Sequence, residues 1–355
     1  MIEANTLFLA EQLAVNWILQ SMRKTNHQGI PHSQSILFPW YYTDAYPETS
    51  GYCIENLLDH SCFDSALNTA KWLCKIQNKD GSYYSGNKAK NPPSFFNTSQ
   101  ILSGLHLAFL YFKDDKMKMA ADKAFDWCTS CLDSSGVPYK GLYVNHYFAS
   151  YYSHALWSLI KFARRNNNSE KLNLLTKSIN MLYTNENKYT HFDHCSFFPD
   201  SDLSLTHTIF YTLEGFWESS IILDRPDIQN SIITILKSWN EQIGEDGGLF
   251  STYNQKRKKV GSGQCLTGQA QCVSLMCKVD SYLTTNQFQD CVEVILKNLL
   301  SKQYKIKQLK GSFPASYPIY GNYFPLKVVN WTQKFFLDSC KYYRNNIQQS
   351  IYKIT

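Results

Sequence analysis

One unit returns along this chain at a spacing of roughly 50–60 residues: an apolar helix, a short polar turn, an amphipathic helix, and a loop with Gly or Asp and aromatics. The pattern pairs 48–60 with 63–77, 97–112 with 115–132, 151–165 with 169–184, 205–223 with 227–242, and 267–283 with 286–301. Two helices are left over, 5–22 at the start and 326–345 at the end. A repeat unit needs neighbours to cover its apolar faces, so an odd helix at each end is a liability in an open array. Together they make a sixth pair, and the array closes on itself. The expectation is an all-α (α/α)6 toroid, a single domain over residues 1–355. The apolar helix of each pair forms the inner layer and the amphipathic helix the outer one, with an open solenoid as the alternative.

Composition suits that architecture. Of the 355 residues, 44% are apolar, enough for a large core, and 15% are aromatic. The net charge of +6 is spread along the chain apart from Lys256-Arg257-Lys258-Lys259, and no nucleic-acid recognition motif accompanies it. Eleven cysteines, an odd number, fall mostly in apolar helical patterns. The opening Met1-Ile-Glu-Ala-Asn-Thr has no basic segment followed by an apolar run. Together these predict reduced structural thiols and a cytoplasmic protein. No apolar stretch approaches the ~20 residues of a membrane span.

Residues 205–219 carry the most pointed chemistry. At helical pitch His207, Tyr211, Glu214 and Glu218 form one stripe, while Leu205, Ile209, Phe210, Leu213, Phe216 and Trp217 make the rest of the helix apolar. Buried ionisable groups must be paired, hydrogen-bonded or placed on a wet cavity. A satisfied core histidine with a Tyr–Glu hydrogen bond is the plain alternative.

A toroid decides where such groups gather. Its inner helices run parallel, so their N-termini share one mouth. Glu48, Asn97, Gln100, His154, His207, Gln269, Gln271, Asn330 and Lys334 all lie near the start of an inner helix. N-capping accounts for Thr and Asn there, not for Gln269 with Gln271, for His154, or for Glu48 between Tyr46 and Tyr52. Converging amides, hydroxyls and aromatic rings suit a saccharide, and the gathered helix N-termini suit an acidic one. His207 is the leading catalytic candidate, with Glu48, Tyr211, Glu214, Glu218 and Asp202 as acid, base or nucleophile. Trp40, Tyr46, Tyr52, Asn97, Gln100, His154, Gln269, Gln271, Asn330, Trp331 and Lys334 are the candidate binding residues. The segment 25–47, which holds Trp40, is too aromatic for a solvated linker.

Five motifs carry a resemblance: Tyr46-Pro47-Glu48-Thr49-Ser50-Gly51-Tyr52, Phe96-Asn97-Thr98-Ser99-Gln100, Leu205-Thr206-His207-Thr208-Ile209-Phe210-Tyr211, Cys265-Leu266-Thr267-Gly268-Gln269-Ala270-Gln271, and Gly311-Ser312-Phe313-Pro314 with Asn330-Trp331 and Lys334-Phe335-Phe336. In this order, over about residues 40–340, the chain resembles a bacterial family often encoded beside surface-polysaccharide genes. That family is similar in fold to six-hairpin glycosidases and, more distantly, to terpenoid-cyclase toroids. The family carries no activity over to this chain; the chemistry of the mouth leads to the expectation of a carbohydrate-active protein, a hydrolase, lyase or epimerase acting on a surface glycan or its intermediate. A terpenoid-cyclase-like enzyme and a non-catalytic glycan-binding protein are the alternatives. Asp200-Ser201-Asp202 lacks the full acidic motif of the cyclases.

No cofactor and no metal are expected. His191, Asp193, His194 and Cys195 are close in sequence, but structural zinc draws on two separated pairs and no second pair is evident. Cys128-Thr129-Ser130-Cys131 lies in an amphipathic helix without a redox fold around it and reads as structural.

Overall fold

A computed structural model describes residues 2–183 and 194–352, with side chains as far as 348. Among these residues the chain forms twelve α-helices: α1 Ala4–Lys24, α2 Pro47–Asp59, α3 Phe63–Ile76, α4 Phe95–Phe112, α5 Asp115–Ser130, α6 Tyr152–Arg165, α7 Ser169–Tyr183, α8 Thr206–Leu223, α9 Pro226–Trp239, α10 Leu266–Leu283, α11 Gln289–Lys302 and α12 Asn330–Tyr352. The even-numbered helices pack in sequence, α2 on α4 and so round to α12, which packs back on α2. Each carries an odd-numbered partner outside it, and α1 lies against α12. This is the (α/α)6 toroid.

Local chemistry sets the helix ends. Pro47 and Pro226 open α2 and α9, where a missing N–H costs nothing. The side chain of Ser94 caps α4 by accepting from the Asn97 N–H, and Asp114 caps α5 by accepting from Lys116. Three inner helices, α4, α8 and α10, stop at a left-handed residue, Lys113, Asp224 or Thr284, which turns the chain sharply into the outer helix.

Two close approaches define the inner ring. A Cβ on Gly104 would fall 2.0 Å from the Gly51 carbonyl oxygen, and one on Gly215 would fall 2.2 Å from the His154 nitrogen. Glycine therefore lets α4 meet α2, and α8 meet α6, backbone to backbone. The second contact presses the Tyr211–Glu214 turn against His154.

The seam between first and last helices is specific. Trp17 Nε1 donates to Asn330 Oδ1 at 2.9 Å, and Arg344 pairs with the buried Glu11. On the other side of α12, Asn56 donates to Asp338 at 2.7 Å, and Lys341 reaches Glu55 and Asp59, both at 2.9 Å.

Three short antiparallel ladders, absent from the sequence expectation, tie the loops on the inner-helix N-terminal side. β1 (Ser33–Ser35) pairs with β6 (Lys327–Val329), β2 (Leu203–Leu205) with β3 (Thr252–Asn254), and β4 (Gln264–Cys265) with β5 (Ser316–Tyr317). Strands β2, β4 and β6 each run directly into an inner helix, so α12 begins at Asn330 and not at 326. Two or three residues are too few to show a strand period.

Candidate active site

The mouth of the ring holds a cavity of about 490 Å³. Glu48 and Tyr52 reach it from α2, Phe96 from α4, His207 and Tyr211 from α8, and Trp331 from α12. Its remaining wall comes from loops, chiefly His32, Tyr46, Tyr143, Tyr151, Phe198, Tyr323 and Phe324. The rings pack edge to face: His32 lies 4.6 Å from Trp331, Phe96 5.3 Å from Tyr211, and Phe324 5.3 Å from Trp331.

Glu48 supplies the only carboxyl group of the cavity wall among the described residues. It sits on the first turn of α2, 6% exposed, and Tyr46 donates to its Oε2 at 2.6 Å. Burial pushes its carboxyl up to about 7, against the pull of that hydrogen bond. Tyr52, Tyr143, Tyr211 and Tyr323 also feel its charge, and burial together with that charge holds these phenols well above their ordinary range.

His207 is 7% exposed, and burial lowers it to about 4, so it is neutral near pH 7. Its Nδ1 lies 2.8 Å from Gln271 Oε1. An amide oxygen only accepts, so the ring proton sits on Nδ1 and Nε2 carries the lone pair. The Tyr211 ring packs at a tilt against two imidazoles, 4.3 Å from His207 and 4.6 Å from His154, and its buried hydroxyl has no hydrogen-bond partner among the described residues.

The lower half of the α8 stripe faces elsewhere. Glu214 Oε1 and Glu218 Oε1 both meet Lys278 Nζ, at 2.8 and 2.6 Å, and Glu214 Oε2 lies 3.3 Å from His154 Nε2. Burial alone would raise Glu214, but Lys278 and His154 hold it well below the usual carboxylate range. These two carboxylates are spent on a buried cation and do not line the mouth.

Other expected residues scatter. Asp202 is exposed on the loop before β2, and Trp40, 75% exposed, stands on the tip between β1 and α2; neither lines the cavity. Asn97 lies just behind the wall, accepting from Tyr143 and donating to the Tyr84 carbonyl at 3.2 Å. Asn330 ties Trp17 to the Pro31 carbonyl, and Gln269 bonds Gln264 at 3.1 Å. Gln100, His154 and Lys334 sit behind Tyr52, and Lys334 pairs with Asp338. Trp331 reaches the mouth and donates to Tyr323 at 2.7 Å. His191 and Asp193 lie outside the described residues. Cys195 is buried and bonds Ser150 and Thr212, and no cluster of potential metal ligands occurs among the described residues.

Sequence reasoning missed the loop residues of the wall, Tyr143, Tyr151, Phe198, Tyr323 and Phe324, and with them His32. It belongs to the aromatic segment 25–47, but only the β1–β6 ladder turns it toward Tyr46 and Trp331.

Fold and site together define a toroid with an aromatic, ionisable pocket at the inner-helix N-termini. No sequence family matches the chain, and no characterised protein matches it in sequence. Solved structures do. An unsaturated glucuronyl hydrolase specific for heparin is 13% identical, covers 98% of this chain and 99% of its own, and superposes with a TM-score of 0.75. The unsaturated glucuronyl hydrolase of Bacillus sp. GL1 is 14% identical over 94% of this chain and 96% of its own, with a TM-score of 0.72. A sugar epimerase from a ruminal bacterium is 11% identical over 93% and 96%, with a TM-score of 0.71. The similarity to six-hairpin glycosidase-like enzymes therefore holds for the fold.

Proposed function

We propose that this protein is a carbohydrate-active enzyme that moves a proton between a saccharide and the Glu48/His207 pair at the mouth of the toroid. The observation that carries this reading is the pairing, in one aromatic cavity, of a carboxyl titrating near 7 with an imidazole held neutral. Near pH 7 such a pair offers a carboxyl that can give a proton and a neutral imidazole whose lone pair can take one. His207 Nε2 takes a proton from a sugar carbon next to a carbonyl. Protonated Glu48 supports the carbonyl oxygen or returns a proton to carbon. Tyr211, with its unspent hydroxyl, fits the same step as a hydrogen-bond donor to the developing oxyanion. The aromatic walls stack against sugar faces. A surface glycan or its intermediate, in the cytoplasm, is the substrate we favour from the motif resemblance.

Epimerisation or elimination suits this pair better than double-carboxylate displacement, because Glu214 and Glu218 are committed to Lys278. Hydrolysis is the second reading, favoured by the hydrolases among the structural neighbours. There Glu48 protonates the glycosidic oxygen while water adds. A cyclase or a purely binding role gains less support from a carboxyl and an imidazole on one wall.

Incubation in heavy water of a panel of free hexoses, N-acetylhexosamines and disaccharides separates the readings. Deuterium fixed at a sugar carbon, lost in His207→Ala and Glu48→Gln, is the expected result. Cleavage of a disaccharide without carbon-bound deuterium assigns hydrolysis instead. If neither occurs with any saccharide that binds, the catalytic reading fails.

A further inference from the structure

The bore of the toroid has a second cavity, on the far side of Tyr52 from the mouth, with a volume of about 180 Å³. Tyr52 contributes to both walls. Three cations line the far cavity: Lys161 and Arg165, one turn apart on α6, and Lys334 from α12. Among the described residues only one carboxylate joins them, Glu55 from α2.

The ion pairs do not balance. Asp338 holds Lys334, and Lys341 holds Glu55 at 2.9 Å. Lys161 and Arg165 have no carboxylate within ion-pair contact among the described residues, although Glu55 and Glu218 act on Lys161 from farther off. Lys161 is half-buried over the face of Trp157, 5.5 Å from its ring centre, and Arg165 stands exposed at the lip. Two imidazoles complete the wall. His154, 4% exposed, gives its Nε2–H to Glu214 and keeps a lone pair on Nδ1, whereas His106 Nε2 is buried without a partner. After burial, Arg165 and Lys161 are the main causes that hold His106 below its ordinary value, which places both cations close to its ring.

We propose that this far cavity binds a small dianionic oxyanion of the phosphate or sulfate class. Two cations without a contacting carboxylate favour a doubly charged anion, and His106 Nε2, in the tautomer that carries its proton there, can donate to one of its oxygens. The site is separate from the mouth chemistry and does not depend on that reading. His154 joins the two, since its ring packs on Tyr211 and its Nε2 meets Glu214.

The test is titration calorimetry of the full chain with sodium sulfate, with inorganic phosphate and with acetate, at constant chloride and near-neutral pH. Single-site saturable binding of sulfate or phosphate is expected, and the tighter of the two identifies the group. Lys161→Met and Arg165→Met should each weaken it by about tenfold, the cost of one charge-assisted hydrogen bond. Arg165 is exposed, so its substitution tests the site even where Lys161→Met fails to fold. In parallel, the His106 imidazole resonances of the unaltered protein should shift and saturate at the same anion concentration. Absence of saturable binding, acetate binding as tightly as the dianions, affinity unchanged in Arg165→Met, or unmoved His106 resonances would each overturn the proposal.

Discussion

Replacing Glu48 by Gln removes the carboxyl group of the mouth while keeping its size and its acceptor for Tyr46. In the folded protein the carboxyl titrates at about 7, against an ordinary value of 4.5. The folded state therefore holds this proton more tightly than the unfolded chain does. That preference stabilises fully below about pH 4.5, fades as the pH rises, and is gone above about pH 7. A displacement of that size corresponds to about 3 kcal/mol. His207 works in the opposite direction. Its value is lowered from 6.5 to about 4, so stability rises with pH across that window as the unfolded imidazole gives up its proton. His32, in the same wall, is also lowered to about 4, so the two imidazoles outweigh Glu48 between pH 4.5 and 6.5 and wild-type stability alone would hide it. The difference between wild type and Glu48→Gln isolates Glu48, because every other group is common to both. Urea denaturation at several pH values between about 4.5 and 8 should show that difference shifting by about 3 kcal/mol, with wild type losing ground as the pH rises. A difference that stays flat within error would refute the placement of Glu48 in a dry, cation-free pocket.

Tyr211→Phe deletes a buried hydroxyl without a partner, so unfolding free energy should stay within about 1 kcal/mol or rise, while kcat falls if the hydroxyl serves the reaction. An unchanged kcat would reduce Tyr211 to packing. Gly215→Ala drives a Cβ against the His154 backbone and should destabilise by about 1–3 kcal/mol in spite of alanine's better helix propensity, as chemical denaturation will show. Lys278→Met leaves Glu214 and Glu218 without their shared cation, at a cost of about 3–5 kcal/mol. Adding Glu214→Gln and Glu218→Gln should recover most of that loss in the same denaturation assay; no recovery would mean that Lys278 matters through packing.

The architecture was legible because its signals are long. Helices of 13 to 23 residues with distinct inner and outer patterns survive errors of a few residues at either end. The leftover helix at each end required a partner, and Trp17–Asn330 and Glu11–Arg344 supply the contacts. The mouth itself was legible through helix direction, which brought Glu48, His207, Tyr211 and Trp331 to one cavity. Fine placement was not. Glu214 and Glu218 continue the His207 stripe faithfully, but their fate rests on Lys278, some 60 residues away on α10. Nearness to a helix start also counted Lys334 and His154 as mouth residues, although both line the cavity behind Tyr52. Glu48 and His207 were expected at a wet opening; aromatic rings donated by loops bury them instead, so their removal will register in stability as well as in turnover. Loop contributions such as His32 and Phe324 follow from the rim ladders, which leave no mark in the pattern.

The way α1 and α12 close the ring bears on how the molecule comes apart. In a linear stack an end unit can peel away and expose one face, so melting begins at the ends and spreads. Here the hairpin at the seam is covered on both flanks, α12 by α10 on one side and by α2 on the other. Lifting it uncovers two neighbours at once, and each of those then sits at a raw edge. Partial opening is therefore penalised twice, which favours a sharp, collective melt over gradual fraying and lends the mouth a rim that cannot loosen one repeat at a time.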